Sequence, residues 1–302
     1  MKNKDNYEKI FESSVTGLLN YLKSGKLESM VLGISGGIDS SVCAVICREV
    51  CRRDSTLSFY GVSLPCRTNT NGEISTADLI GKAFVQNYWV EEMETEFKSI
   101  ENWCSRAAGS STPISQGNIK ARLRMIYLRN LAGLKKGVMI DTDNLTENLT
   151  GFFTIAGDQG DISLVAELWK HEVYDLAKWM LEEKCETEEE KEALKRSIGL
   201  TPTDGNGVKE GGDLAQIAPS LKSYDELDEI LMANERYKGK PTEANLYLLN
   251  LVIDKYGEET ITQVLSRVKR SEFKRKPMPV RLKLEGINRG EPSKEELLKH
   301  VG

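Results

Sequence analysis

The stretch VLGISGGIDSSVCAVIC, residues 31–47, constrains the fold more than any other part of the chain. An apolar run stops at a turn of small residues and one acid, Ser35, Gly36, Gly37 and Asp39, and an apolar helical run follows at once. A strand that feeds a helix through glycines leaves the first helical N–H groups unpaired and a partial positive charge above the loop, so the junction is an anion site with phosphate as its default ligand. The G-x-x-x-x-G-K-[ST] pattern is missing, and no strand is followed by G-x-G-x-x-G. The loop therefore belongs to another kind of phosphate cradle. Gly36 and Gly37 let the backbone turn and approach the phosphate, Ser35 and Ser40 offer hydroxyls, and Asp39 is placed to hold a magnesium ion.

The rest of the chain supplies the frame for this loop. Tyr7, Ile10, Phe11, Val15, Leu18, Leu19 and Leu22 recur at helical spacing, which predicts an amphipathic helix over 4–24. SMVLGIS reads as a buried strand, 38–52 as a helix, TLSFYGVSLP as a second strand and 73–87 as a helix, with a short strand YWVEEM after it. A helical run to Ala107, a loop AAGSSTPISQ, a long helix GNIKARLRMIYLRNLAGLKK and a strand GVMIDTD follow. This alternation predicts an α/β fold with a doubly wound parallel sheet. Ligands of such sheets bind at the carboxyl ends of the strands, where both Ser35 and Thr142 fall. KHEVYDLAKWMLEE is a helix, the acidic run 182–197 a solvated helix face, GLTPTDGNGVKEGGD a Gly-rich loop, and 224–268 two or three helices ahead of a basic tail. We expect a single domain over 1–302, with an N-terminal helix to 25, the core from 26 to 222 and a helical, basic extension from 223.

Composition removes several classes. A net charge of −5 over 302 residues argues against a nucleic-acid binder, and the mean hydropathy of −0.40 with no run of 18 apolar residues argues against a membrane protein. With no signal-peptide pattern at the N-terminus, a cytoplasmic protein is expected. Cys43, Cys47 and Cys51 recur every four residues; three ligands along one straight helix cannot surround a metal, so they read as a small-residue stripe facing the sheet.

The S-G-G-x-D-S string after the first strand resembles the loop of the ATP pyrophosphatases, a Rossmann-like group with the adenine nucleotide alpha-hydrolase fold. Four further motifs in order, GNIKARLRMIYL, TDNLTENLTGFFTIAGDQGD, WKHEVYDLAK and SEFKRKP, are similar to the ammonia-dependent NAD synthetases, over about residues 10 to 280. The resemblance implies ATP as co-substrate on Gly33, Ile34, Ser35, Gly36, Gly37, Ile38, Asp39 and Ser40, with Thr142, Lys170 and Thr203, and magnesium on Asp39 and Glu147. It implies deamido-NAD on Arg122, Phe152, Asp161, Phe273 and Lys274, and ammonia as nitrogen donor, so that a carboxylate is adenylated and AMP then displaced. It also implies a homodimer, with a separate glutaminase as one possible source of ammonia. Asn144, Ile155 and Phe273 depart from the family pattern, and these departures gather on the dinucleotide side. The alternatives are another adenylating enzyme with a different carboxylate or a tRNA, and a regulatory module that holds ATP without turning it over.

Overall fold

The computed structural model describes residues 4–201 and 212–276. Helix α1 (Lys4–Gly25) precedes strand β1 (Ser29–Gly33), helix α2 (Ile38–Arg53), strand β2 (Ser58–Ser63), helix α3 (Asn71–Phe84), strand β3 (Asn87–Val90) and helix α4 (Glu94–Ala108). Helix α5 (Pro113–Leu134), strand β4 (Gly137–Asp141), helix α6 (Leu145–Thr150), the two-residue strand β5 (Ile162–Ser163), helix α7 (Lys170–Glu183) and helix α8 (Glu188–Gly199) complete the sheet layers. Helices α9 (Gly212–Ile217), α10 (Tyr224–Gly239), α11 (Glu243–Tyr256) and α12 (Glu258–Ser271) follow, with a 3-10 turn at Glu272–Arg275.

All pairings are parallel and the strand order is β3-β2-β1-β4-β5. The chain grows the sheet outward from β1 through β2 to β3, then crosses back to lay β4 on the other side of β1. That reversal opens a crevice at the carboxyl ends of β1 and β4, where a doubly wound sheet binds its ligands. Strand alternation divides the core as a period of two requires. Met30, Leu32, Phe59, Val138 and Ile140 face α1, α2, α3, α7 and α8, whereas Val31, Val62 and Met139 face Phe97 of α4 and Leu128 and Ala132 of α5. Cys43, Cys47 and Cys51 lie buried in the first of these layers, and burial pushes the thiols up, those of Cys43 and Cys47 well up; they are inert small hydrophobes. A further core of Leu227, Ile230, Leu231, Val252, Ile261, Val264 and Val268 unites α10, α11 and α12. No helix among the described residues is long and apolar enough to cross a membrane.

The differences from the sequence expectations are local. Helix α5 begins four residues before the expected GNIK start because Thr112 forms a capping box with Ser115 and Pro113 takes the first turn, where its missing N–H costs nothing. The polar segment after β4 holds α6, whose start is fixed by the Asn144–Glu147 capping box. The acidic run closes α7 at Glu183 and is helical again from Glu188, where Thr187 caps α8 and Glu190 is buried against Arg48. The Gly-rich loop from 202 to 211 and the basic tail beyond 276 lie outside the described residues.

Candidate active site

The loop between β1 and α2 is shaped by one backbone position. Gly36 has φ of 83°, the left-handed region, and a Cβ there would stand 2.6 Å from the Glu73 carbonyl oxygen, so only glycine fits. Gly37 is the N-cap of α2 and caps it with no side chain. The serines hold the turn: Ser35 Oγ and Ser40 Oγ are 2.9 Å apart, and Ser40 and Ser41 both donate to the Gly37 carbonyl. Ser197 Oγ lies 3.0 Å from the Gly36 carbonyl oxygen and ties α8 to the loop.

Across the crevice, α7 delivers Lys170 into the same place. Its Nζ donates to Asp39 Oδ2 at 2.5 Å and to Glu147 Oε1 at 2.8 Å, and it is nearly fully buried. Asn144 Nδ2 holds the other oxygen of Asp39 at 2.8 Å while its own Oδ1 caps α6. Burial works against the charge on Lys170, but Asp39 and Glu147 outweigh it and keep the ammonium well above the usual lysine value. Burial, reinforced by Asp39, pushes Glu147 up to about 7, with Lys170 pulling the other way. Beneath this cluster the Lys170 N–H donates to Thr146 Oγ1, Thr146 donates to Asp228 Oδ1 at 2.5 Å, and Asp228 Oδ2 accepts from the His171 N–H at 2.8 Å. The start of α7 is thereby locked to α6 and α10.

Two cavities meet at the cluster. The first, of about 280 Å³, runs from the Gly33–Gly37 loop to an apolar end formed by Val62, Ala121, Met125 and Leu128, with Arg124 and Asn69 beside it. The second, of about 540 Å³, lies between Phe152, Phe153 and Thr154 on one side and Arg267, Arg270, Phe273 and Lys274 on the other. Ser35, Asp39, Thr142, Glu147 and Asp158 line both. Asp158 adds acid at this shared wall and Asp143 beside it in the second cavity, and burial raises both carboxyls, Asp143 well above its usual range.

The sequence-predicted residues fall into three groups. Ser35, Gly37, Asp39, Thr142, Glu147 and Lys170 come together at the junction with Ser40 beside them, and Gly33, Ile34 and Ile38 line the first cavity. Phe152, Phe273 and Lys274 line the second, but Lys274 Nζ already donates to the Gly151 and Phe153 carbonyls at 2.7 and 2.5 Å. Arg122 is exposed on α5 and reaches the Ile155 carbonyl, while Asp161 pairs with Arg129 and accepts from the Met139 N–H at the sheet edge; neither lines a cavity. Thr203 lies outside the described residues. Sequence reasoning missed Asp158, Asp143, Arg124, Arg267 and Arg270. An acid two residues from a glycine turn was the available signal for Asp158, but Asp161 in the same segment competed with it.

A parallel sheet with a glycine turn opening on a helix N-terminus at its switch point, and an acid–lysine cluster facing that turn, is the frame of an α/β protein of the nucleotide-binding kind. The sequence profile of the NAD synthase family matches residues 10–278, and the chain belongs to that family of ATP-using ligases. It is 25% identical over 279 residues to the glutamine-dependent NAD(+) synthetase of Thermotoga maritima, covering 92% of this chain and 45% of that one. It therefore spans less than half the length of that relative. With the NH(3)-dependent NAD(+) synthetase of Finegoldia magna it shares 28% identity over 272 residues, 90% of this chain and 95% of that one. The solved structure of NMN synthetase from Francisella tularensis has the same fold, with a TM-score of 0.67 at 23% identity, covering 94% of this chain and all of that one.

Proposed function

We propose that the chain amidates the nicotinate of deamido-NAD with ammonia at the expense of ATP. The observation that carries the reading is the shared wall: one cavity ends in a phosphate loop, the other in aromatic and cationic side chains, and both open on Asp39, Glu147, Thr142 and Asp158. A carboxylate is a poor electrophile and needs activation. With ATP in the first cavity and the nicotinate ring beside Phe152 in the second, a carboxylate oxygen attacks the α-phosphorus, the bond to pyrophosphate breaks, and an acyl adenylate forms. Ammonia then attacks the acyl carbon, loses a proton, and AMP leaves.

The chain's contribution is placement and charge. The open N-terminus of α2 and the Lys170 ammonium face the anionic phosphates, and low solvent access strengthens both. Asp39 Oδ2 and Glu147 Oε1 converge on the Lys170 ammonium, and two carboxylates this close, joined by substrate phosphates, are the donor set a magnesium ion takes. These two residues would hold the ion, which would neutralise charge on the phosphates. The reading carries a homodimer with it, supported by the exposed Ile126 and Leu134 on α5.

The test is to incubate the protein with ATP, magnesium, ammonium and deamido-NAD and to follow AMP and NAD. Stoichiometric AMP and NAD are expected. AMP released only in the presence of some other acid, or of an RNA, would overturn the assignment.

A further inference from the structure

The second cavity has a charge polarity that the proposed chemistry does not use. Its acids, Asp39, Asp143, Glu147 and Asp158, stand on the sheet side, and its cations, Arg267, Arg270 and Lys274, stand on α12 and the turn after it. Lys274 is occupied by two carbonyls of the 151–153 loop. The two arginines are not. Arg267 and Arg270 are three residues apart and share one face of α12. Arg267 uses only Nε, which donates to the Thr150 carbonyl at 2.7 Å and holds the guanidinium 5.6 Å above the Phe152 ring. Its terminal nitrogens, and all of Arg270, meet no acceptor among the described residues.

Arg267 is partly buried and Arg270 exposed on the same cavity wall; like charges on one helix face repel, and burial together with Arg270 lowers the pKa of Arg267. An anionic phosphate between them relieves that repulsion, and guanidinium forks match phosphate oxygens in pairs. Phe152 lies against Arg267 and lines the same cavity, where its ring edge and free face are open to a heteroaromatic ring.

Building on the proposed function, we infer that Arg267 and Arg270 form the anchor for the phosphate attached to the nicotinate riboside, and that this phosphate is what the second cavity selects for. The feature is common to nicotinate mononucleotide and deamido-NAD, and nicotinate riboside lacks it. Arg267 orients the ring as well as the phosphate; Arg270 serves the phosphate alone.

The test is steady-state AMP release by the full chain with magnesium, ATP and ammonium, with nicotinate mononucleotide, deamido-NAD and nicotinate riboside in separate arms. For Arg270→Ala, KM for the phosphate-bearing acids is expected to rise about ten- to a hundredfold while KM for ATP holds, and Arg270→Lys should recover part of the loss. The riboside, a poor substrate for the unaltered protein, should respond little to the change. Turnover by the unaltered protein with KM unchanged in Arg270→Ala, or an equal rise for the riboside, overturns the anchor and leaves the amidation reading standing. No turnover of any nicotinate compound by the unaltered protein overturns that reading and the anchor with it.

Discussion

Lys170 Nζ and Asp39 Oδ2 stand 2.5 Å apart although 131 residues separate them in the chain, and Glu147 closes the group from a third element. Among the described residues, the ammonium is the only counter-charge bonded to these two largely buried carboxylates. Lys170→Met therefore leaves two acids facing each other across a site with little water. A stability loss of about 3–5 kcal/mol is expected by urea unfolding, and AMP release should fall by roughly 10²–10³-fold. Retention of near-normal turnover would show that Lys170 is structural only.

Asp39→Asn separates the charge on that residue from its shape. The amide keeps the size of the side chain and can still accept from Lys170, but its NH2 then faces the Asn144 Nδ2 donor, so a loss of about 1–3 kcal/mol is expected. Turnover should fall by about 10²-fold or more, and the magnesium concentration for half-maximal rate should rise. An Asp39→Asn protein with an unaltered magnesium dependence would remove Asp39 from the metal site.

The part of this arrangement legible in the sequence was the part carried by local signals. The period of the apolar residues and the glycine turn gave β1, the loop and α2 because a buried strand and an amphipathic helix differ in repeat, and Gly36 occupies the one left-handed position the turn demands. Strand β5 was not legible, since two residues carry no periodicity, and its pairing to β4 is held by Asp161 and Arg129 from elsewhere. Helix α6 was hidden by its polarity, although Asn144 and Glu147 stood at capping-box spacing. Arg267 and Arg270 read as part of a basic tail because charge along a sequence does not reveal which face is solvated. The opposite faces of α5 show the same limit: Arg122 reaches the surface and Arg124 lines the first cavity, two residues apart.

Gly36→Ala should be costly for the same geometric reason that makes the loop recognisable. A positive φ of 83° combines with a Cβ only 2.6 Å from one backbone oxygen and 2.8 Å from the Ala77 nitrogen, so no flexible side chain can yield. A loss of about 2–5 kcal/mol is expected, measured by denaturant unfolding, together with weaker ATP binding by calorimetry. An alanine variant of unchanged stability would contradict the left-handed turn.

His171 lends the fold a pH dependence. Its hydrogen bond to Asp228, opposed by burial, raises the imidazole above its ordinary value of 6.5. A group raised on folding contributes stability that is fully present below the unfolded value and is lost as pH rises through the folded one. The difference in melting temperature between the unaltered protein and His171→Gln should therefore be largest near pH 6 and shrink toward pH 8. A difference that stays flat or grows with pH would sink the assignment of the charge to this pair.

Lys274 offers the sharpest division between a substrate contact and a structural clasp. Its Nζ donates to the Gly151 and Phe153 carbonyls and lies 5.1 Å from the centre of the Phe153 ring, and Gly151 itself turns with φ of 64° against Ser271. The loop that shapes one side of the second cavity is thus fastened from the 3-10 turn. Lys274→Met keeps the apolar stem and removes only the donor, so a clasp predicts a loss of about 1–3 kcal/mol in unfolding, discounted for a half-buried group, together with a rise in KM for deamido-NAD. A residue that only touches substrate predicts the KM change with the unfolding midpoint unmoved. The geometry favours the clasp, because Lys274 Nζ bonds two carbonyls of this loop at once and its loss unties the loop from the 3-10 turn.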